Sequence, residues 1–473
     1  MVIAYMLVML AIGYFSSTKI KTNTDFMVAG RRLGPLLMAG TLAATEIGGG
    51  SSLGVVANAY GSWGVSASWY IIAMGIAFLI LIPLAPKFRA TEVKTVPEYF
   101  RRRYDKFSGG FSGIIMLMAL VGLTAGQFKA SASVLEVMLG LDYTTSLIIV
   151  TVVITVYAVM GGLWSVTLTD FIQVFLIVIG MLIAIPFALK LAGGWATIRA
   201  TVPAEHFSFT QGIGGWGQIA GFVIMYVATF SVGQEAVSRY YAAKDGKAAI
   251  QGSIIAAIVN FVFAFIPVIL GITMLSLFNQ NLLDSSVVDA LKNNSRYALP
   301  ALAVATMPAV VTGILFAGII SATMSSADSD LLGAGSIFSN DIFKIFIHKG
   351  ATDKQVMLTT KIAMVVVSLF SLVTALYANN ILTLLAFSFT LRAAGTFIPY
   401  VMGHFWKKSS SAGSIASILI GSLVFFLMDR KIIPSIPKLN NIIPALLISM
   451  VAFYVFSLLF PPKKESFDLI FEE

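Results

Sequence analysis

Apolar runs of about 20 residues recur along nearly the whole chain, and they are continuous rather than alternating. That feature removes most folds. A run of this length crosses the hydrocarbon core of a bilayer, about 30 Å, as a helix. In lipid every backbone N–H and C=O must be paired inside the protein, so only helices or a closed barrel can span. Barrel strands alternate apolar and polar residues, which these runs do not. The expected fold class is therefore all-α and integral to a membrane. Composition decides one further point: only 11% of the 473 residues are charged, against roughly 25% in a soluble globular protein.

Hydropathy places about thirteen transmembrane helices. Numbered 0 to 12, they cover roughly 1–17, 34–60, 65–85, 109–139, 143–162, 164–190, 214–240, 248–277, 299–331, 356–378, 380–405, 411–428 and 441–460. The first run lacks the basic leader of a signal peptide and reads as a retained span. Alternate loops are basic: 22 of the 31 Lys and Arg residues fall in one set of loops, Arg239 being counted with Lys244 and Lys247. The positive-inside rule then puts the N-terminus outside, the C-terminus in the cytoplasm and the protein in the plasma (inner) membrane. Spans 1–5 and 6–10 form two sets of five. Five is odd, so the second set enters upside down, which is the arithmetic of a 5+5 inverted repeat with one preceding and two following helices. The expected organisation is a preceding helix and loop (1–33), a first repeat (34–190) and an external loop (191–213). A second repeat (214–405) and two additional helices with a cytoplasmic tail (406–473) complete it.

Several chemistries are excluded. There is no Cys and only three His, so thiol catalysis, disulfides and a His-rich metal centre fall away. Gly212-Ile213-Gly214-Gly215-Trp216-Gly217 fits a dinucleotide fingerprint in letters alone, since no strand precedes it. No Walker loop, serine elbow or HExxH motif occurs, so neither an enzyme nor an ATP-driven pump is expected. The net charge of +9 lies in the loops and implies no nucleic-acid partner.

Span 8 contains Ser321-Ala322-Thr323-Met324-Ser325-Ser326-Ala327-Asp328-Ser329-Asp330. A charge at the bilayer centre costs at least ~2.5–3.5 kcal/mol on insertion scales, so intramembrane polar groups mark function. In a helix Ala322, Ser325 and Ser326 share one face. Two hydroxyls and a carbonyl pointing the same way suit a small hard cation. Span 1 carries Glu46-Ile47-Gly48-Gly49-Gly50-Ser51-Ser52 at mid-depth. Each Gly costs a helix interior about 1 kcal/mol, so the expectation is an unwound segment lining a binding site. The alternative is close helix packing through the Gly50/Gly54 pair.

These residues stand among motifs of a known family. Thr95-Val96-Pro97-Glu98-Tyr99-Phe100 with Arg103 follows span 2, and Gly161-Gly162-Leu163-Trp164-Ser165-Val166 with Thr169-Asp170 opens span 5. Ser238-Arg239 with Ala243-Lys244-Asp245 and Lys247 closes span 6, and Met324-Ser325-Ser326-Ala327-Asp328-Ser329 with Leu331 and Asp341 marks span 8. In this order the chain resembles the sodium:solute symporter family, nearest its choline, proline and pantothenate branches. The resemblance implies a LeuT-type fold and Na+ as the coupling ion. It further implies a sodium site made by the carbonyls of Ala44, Ile47 and Ala322 and the hydroxyls of Ser325 and Ser326. It admits a second sodium at Asp170 with Ser325 and Ser326; a salt bridge to the basic loops is the other reading of Asp170. The choline cage is missing: Glu46, Leu123 and Gly233 stand where the resemblance would put aromatic residues, and cation–π recognition needs ring faces.

In the repeat architecture the solute lies at the midplane, between spans 1, 3, 6 and 10. Candidates are Glu46, Gly48, Gly49, Ser51 and Ser52, then Gln127 and Lys129, Gln234 and Glu235, and Arg392 and Thr396. Lys129 and Arg392 imply a carboxylate-bearing or zwitterionic substrate, since a guanidinium takes a carboxylate through two hydrogen bonds. Neutralisation by Glu46, Glu136 or Glu235 is the rival. The expected function is sodium-coupled import of a small organic solute by alternating access. A proton-coupled symporter, a membrane sensor of the same fold and a passive channel are the alternatives. The expected partners are the solute, sodium and the lipid bilayer, and the sequence carries no signal of oligomeric state.

Overall fold

The computed structural model describes residues 23–462. Span 0 and the tail beyond Pro462 lie outside the described residues. Among the described residues there is no strand, only an isolated bridge between Leu33 and Ala243. Among the described residues nine helices are long and apolar enough to cross a membrane, and a bent pair, Trp216–Val232 with Gln234–Ala242, makes a tenth. Span 2 is represented by a shorter apolar helix, Gly64–Ile80.

Helix starts follow local chemistry. Asp105, Asp142, Asp245, Asn380 and Ser410 each sit at an N-cap and accept a backbone N–H from the first turn of spans 3, 4, 7, 10 and 11. Such a side chain satisfies a donor that would otherwise be orphaned, worth about 1 kcal/mol. Thr352 and Gln355 form a reciprocal capping box for span 9. Spans 4 and 5 run almost without interruption over Tyr143–Leu191. They turn at Gly162, whose φ of 54° favours glycine, and there a Cβ would meet the Phe26 ring at 2.7 Å.

Span 8 differs from the sequence expectation of 299–331. Ala298–Thr306 is a separate short helix, and the span is Ala309–Ile337, continuing in wider turns to Ile347. The cause is Pro308. It drives Met307 into extended geometry (φ −115°, ψ 147°) and so breaks the helix before it. Span 8 packs chiefly against the span 4–5 helix and span 3, and span 1 packs against spans 7 and 5. Apolar side chains such as Ile172, Phe175, Ile179, Phe370 and Val451 stay exposed on the outer helices, where lipid replaces water.

The two repeats begin alike. Span 1 is helical over Pro35–Glu46, loses its ladder, and resumes as Gly50–Gly54 and Val55–Tyr60. Span 6 bends by 55° between Val232 and Gln234. The first helix of each five is thus broken at mid-depth, as a LeuT-type inverted repeat requires.

Candidate functional site

The break in span 1 is set by glycines that also permit contact. A Cβ on Gly48 would lie 2.3 Å from the Ser326 hydroxyl, and one on Gly49 2.4 Å from the Ala130 methyl. Unwinding and close packing, alternatives on sequence grounds, therefore coexist. The first half, Pro35–Glu46, ends with Ile47 N–H on the Ala43 carbonyl (2.8 Å), and the next backbone bond is Ser52 N–H to Gly48 (3.1 Å). Four carbonyls lie between. That of Thr45 accepts the Ser326 hydroxyl (2.7 Å), and that of Glu46 accepts Ser51 (2.7 Å). Among the described residues no donor reaches the carbonyls of Ala44 and Ile47. A buried carbonyl without a donor is costly; two of them near buried serine hydroxyls are the kind of oxygen set that could hold a hard cation.

Span 8 supplies the facing wall. Ser325 donates to Asp170 (2.6 Å), and Ser326 reaches Thr45 as well as its own Ala322 carbonyl (3.3 Å). Asp170 is fully buried and ion-paired with Arg239 at 3.2 Å. Arg239 is not a loop residue, as the charge count assumed. It is buried on the second half of span 6, Gln234–Ala242, because an acid and four hydroxyls or carbonyls there satisfy its N–H groups.

The bend in span 6 holds a second buried pair. Arg392 of span 10 grips Glu235 through both carboxylate oxygens, one of them at 2.7 Å, and its Nε donates to Thr229 (2.7 Å). A Cβ on Gly233 would meet the Arg392 and Glu235 head groups at 2.6 Å, so this pair needs glycine at the bend. The neutralisation rival therefore describes Arg392 in this state. Glu46 is buried in span 1 within electrostatic reach of Glu235, Arg392 and Arg239, yet its Oε1 has no hydrogen-bond partner among the described residues.

The other candidates divide. Gln127 accepts the Gly49 N–H (2.7 Å), Ser52 returns to the Gly48 carbonyl (2.8 Å), and Thr396 bonds the Arg392 carbonyl (2.6 Å), so these lie in or against the site. Gln234 does not: its amide accepts Val96 N–H (2.8 Å) and donates to the Lys94 carbonyl (3.1 Å), holding the loop after span 2. Lys129 also turns away. It donates to Tyr143 (3.3 Å), beside Arg296 and Glu136 at the far end of span 3. Both were placed in the centre by span position alone, which does not fix the helix face. Thr229 and Ser329 were missed, though each is a hydroxyl within a span.

One side of the site opens and the other is sealed. A cavity of about 510 Å³ reaches Tyr70, Phe222, Met225, Leu382 and Thr390, and a Cβ on Gly50 would touch the Tyr70 hydroxyl at 2.8 Å. The basic-loop side carries a block of rings. Tyr241 bonds Tyr400 (2.8 Å), Tyr104 bonds the Pro399 carbonyl (2.6 Å), and His404 stacks on Tyr99 (4.6 Å).

The family model described as the sodium:solute symporter family matches residues 26–421. The osmoregulated proline transporter OpuE of Bacillus subtilis is 24% identical over 98% of this chain and 95% of its own length. The sodium/pantothenate symporter of Haemophilus influenzae is 27% identical over 94% and 92%. Among solved structures, a substrate-bound outward-open Na+-coupled sialic acid symporter superposes with a TM-score of 0.82, at 22% identity, over 98% of both chains.

Proposed function

We infer the activity from one premise: this chain belongs to the sodium:solute symporter family. It is a sodium-coupled symporter of a small organic solute, and not an enzyme. The ion sits between the break of span 1 and the face of span 8. Its ligands are the carbonyls of Ala44, Ile47 and Ala322 and the hydroxyls of Ser325 and Ser326. One observation carries this assignment: the span 1 carbonyls left without a donor among the described residues at the break are those of Ala44 and Ile47, and they flank Thr45 and Glu46, where Ser326 of span 8 bonds the Thr45 carbonyl (2.7 Å).

The cycle follows from that placement. Sodium joins the two halves of a site built from separate repeats, 34–190 and 214–405, each opening with a broken helix. The basic loops face the cytoplasm, so the 510 Å³ cavity opens outward and the ring block is the inner seal. The N-terminus is then outside and the C-terminus inside. One charge moving through 100 mV supplies about 2.3 kcal/mol, about 50-fold of solute accumulation.

The solute is a zwitterion bearing a carboxylate. Relatives named for proline, pantothenate and sialic acid support the carboxylate. Glu46, whose buried Oε1 has no hydrogen-bond partner among the described residues, supports a positive group on the same molecule. With Arg392 held by Glu235, the carboxylate is left to the start of the outer half of span 1, where a half-helix N-terminus favours anions.

Uptake into proteoliposomes decides the matter. A panel of amino acids and carboxylates is tested with an inward sodium gradient, with a proton gradient and with neither. Sodium-driven accumulation of a zwitterion is expected. Acid-driven uptake indifferent to sodium overturns the coupling, with Glu46 then the carrier.

A further inference from the structure

We propose that a small recess beside the open cavity binds a halide, chloride being the ion tested. The site stands independently of the identity of the solute and of the coupling ion.

The recess lies where three segments meet: the outer half of span 1 at Asn58, the turn before span 8 at Asn294, Ser295 and Arg296, and the start of span 10 at Asn379 and Asn380. Its polar lining donates. Asn294 Oδ1 accepts the Arg296 backbone N–H (3.0 Å), and Asn380 Oδ1 accepts that of Thr383 (3.1 Å). Those bonds decide which end of each amide remains, and it is the amino group, a donor only. The Nε–H of Arg296 is buried and has no acceptor among the described residues. Among the described residues no carboxylate lines the recess. N–H groups gathered around a guanidinium attract an anion and repel a cation.

The charges nearby point the same way. Lys129 is 2% exposed, and its hydrogen bond goes to the neutral Tyr143 hydroxyl (3.3 Å). Glu136, the acid of this cluster, is already engaged by Arg296 (3.3 Å) and Tyr297 (2.8 Å). Lys129 Nζ and Arg296 Cζ lie 4.9 and 4.2 Å from the centre of the same Tyr143 ring. The cluster thus holds two cations and one acid. Buried charges are ordinarily paired, and a ring face compensates a cation only in part. An anion against Arg296 balances the cluster. A halide suits the place, because it accepts N–H donors from every direction and fits a recess with room for one small occupant. Asn58 and Asn380 also line the 510 Å³ cavity, so the ion enters from that side. Bound there, it ties the outer half of span 1 to the turn before span 8 and to the start of span 10.

The test follows the melting temperature of the purified full chain as sodium gluconate is exchanged for sodium chloride, at constant sodium and ionic strength. A saturable rise is expected for wild type, with bromide equivalent and acetate without effect. Asn380→Asp keeps the N-cap oxygen and gives the recess its own negative charge, so its melting temperature is expected to ignore chloride. Arg296→Gln is expected to need roughly tenfold more chloride for half-saturation. A flat wild-type titration overturns the proposal and requires no variant. Acetate as effective as chloride also overturns it, by giving the recess to a carboxylate. So does a folded Asn380→Asp protein that keeps the wild-type response to chloride.

Discussion

Two buried arginine–carboxylate pairs share the second half of span 6, and their surroundings divide them. Arg239 and Glu235 stand four residues apart on one helix, yet each reaches a different neighbour: Asp170 on span 5 and Arg392 on span 10. The Asp170 pair is wrapped in hydroxyls, from Thr41, Ser238, Ser325 and Ser329. The Glu235 pair has one hydroxyl, Thr229, and lies over the Phe389 ring. Ionic groups cost several kcal/mol each to desolvate, and only good geometry with added hydrogen bonds recovers it. The first pair meets that condition with partners from four spans and touches Ser325 of the proposed sodium site. The second joins the bend of span 6 to span 10, beside Thr390 on the open cavity. The first should govern sodium, the second the solute.

The largest expected effect comes from unpairing a charge. Arg392→Ala strands Glu235 in the membrane interior and should cost roughly 3–5 kcal/mol. Thermal denaturation in detergent measures it, and the double variant Glu235→Gln/Arg392→Gln should recover most of the loss. Equal instability of single and double variants would show that the pair's charge is not the issue.

Removing one hydroxyl beside each pair sharpens the contrast. Ser325→Ala should raise the sodium concentration for half-maximal binding about tenfold, about 1.4 kcal/mol. Thr229→Val should leave that value within about twofold and weaken the apparent solute affinity instead. Matching shifts in both variants would erase the division of labour.

His404 is the uncompensated counterpart of both arginines. It is buried just beyond the basic-loop end of span 10, with neither ring nitrogen bonded among the described residues. Burial, with Lys87 and Arg103 nearby, pushes its pKa down to about 3. The folded state therefore holds it neutral, while the unfolded chain protonates near pH 6.5. Its contribution is complete above pH 6.5 and fades as pH falls toward 3, by on the order of 2 kcal/mol at pH 5. A melting temperature that declines between pH 6.5 and 5 in wild type but stays level in His404→Phe is the expected pattern. Parallel declines would assign the acid sensitivity elsewhere.

The smallest effect is expected at Lys129. Lys129→Gln should change solute affinity by less than about twofold in an uptake assay, because its ammonium lies with Tyr143 and Arg296. A tenfold loss would return it to the solute site.

Much of this was legible in one dimension. Hydropathy located spans 3–7 and 9–12 to within a few residues, because a lipid-crossing helix must be apolar over a fixed length. Three adjacent glycines announced the break in span 1, and clustered serines announced the face of span 8. A lone Gly233 gave no such notice for span 6, since one glycine costs a helix little. Pro308 was readable as a helix boundary but was overridden by the apolar run around it.

By itself, then, the sequence determined the membrane-spanning helices, the alternation of basic loops and the polar stretches that lipid alone could not tolerate. Each of these depends on neighbours a few residues away. Only the tertiary structure decided that Asp170 meets Arg239, that Glu235 consumes Arg392, and that Gln234 and Lys129 face away from the centre. Those outcomes depend on which face of each helix turns inward. Hydropathy is silent there, because a buried charge is governed by the partner it finds across space, 69 residues away for Asp170 and 157 for Glu235.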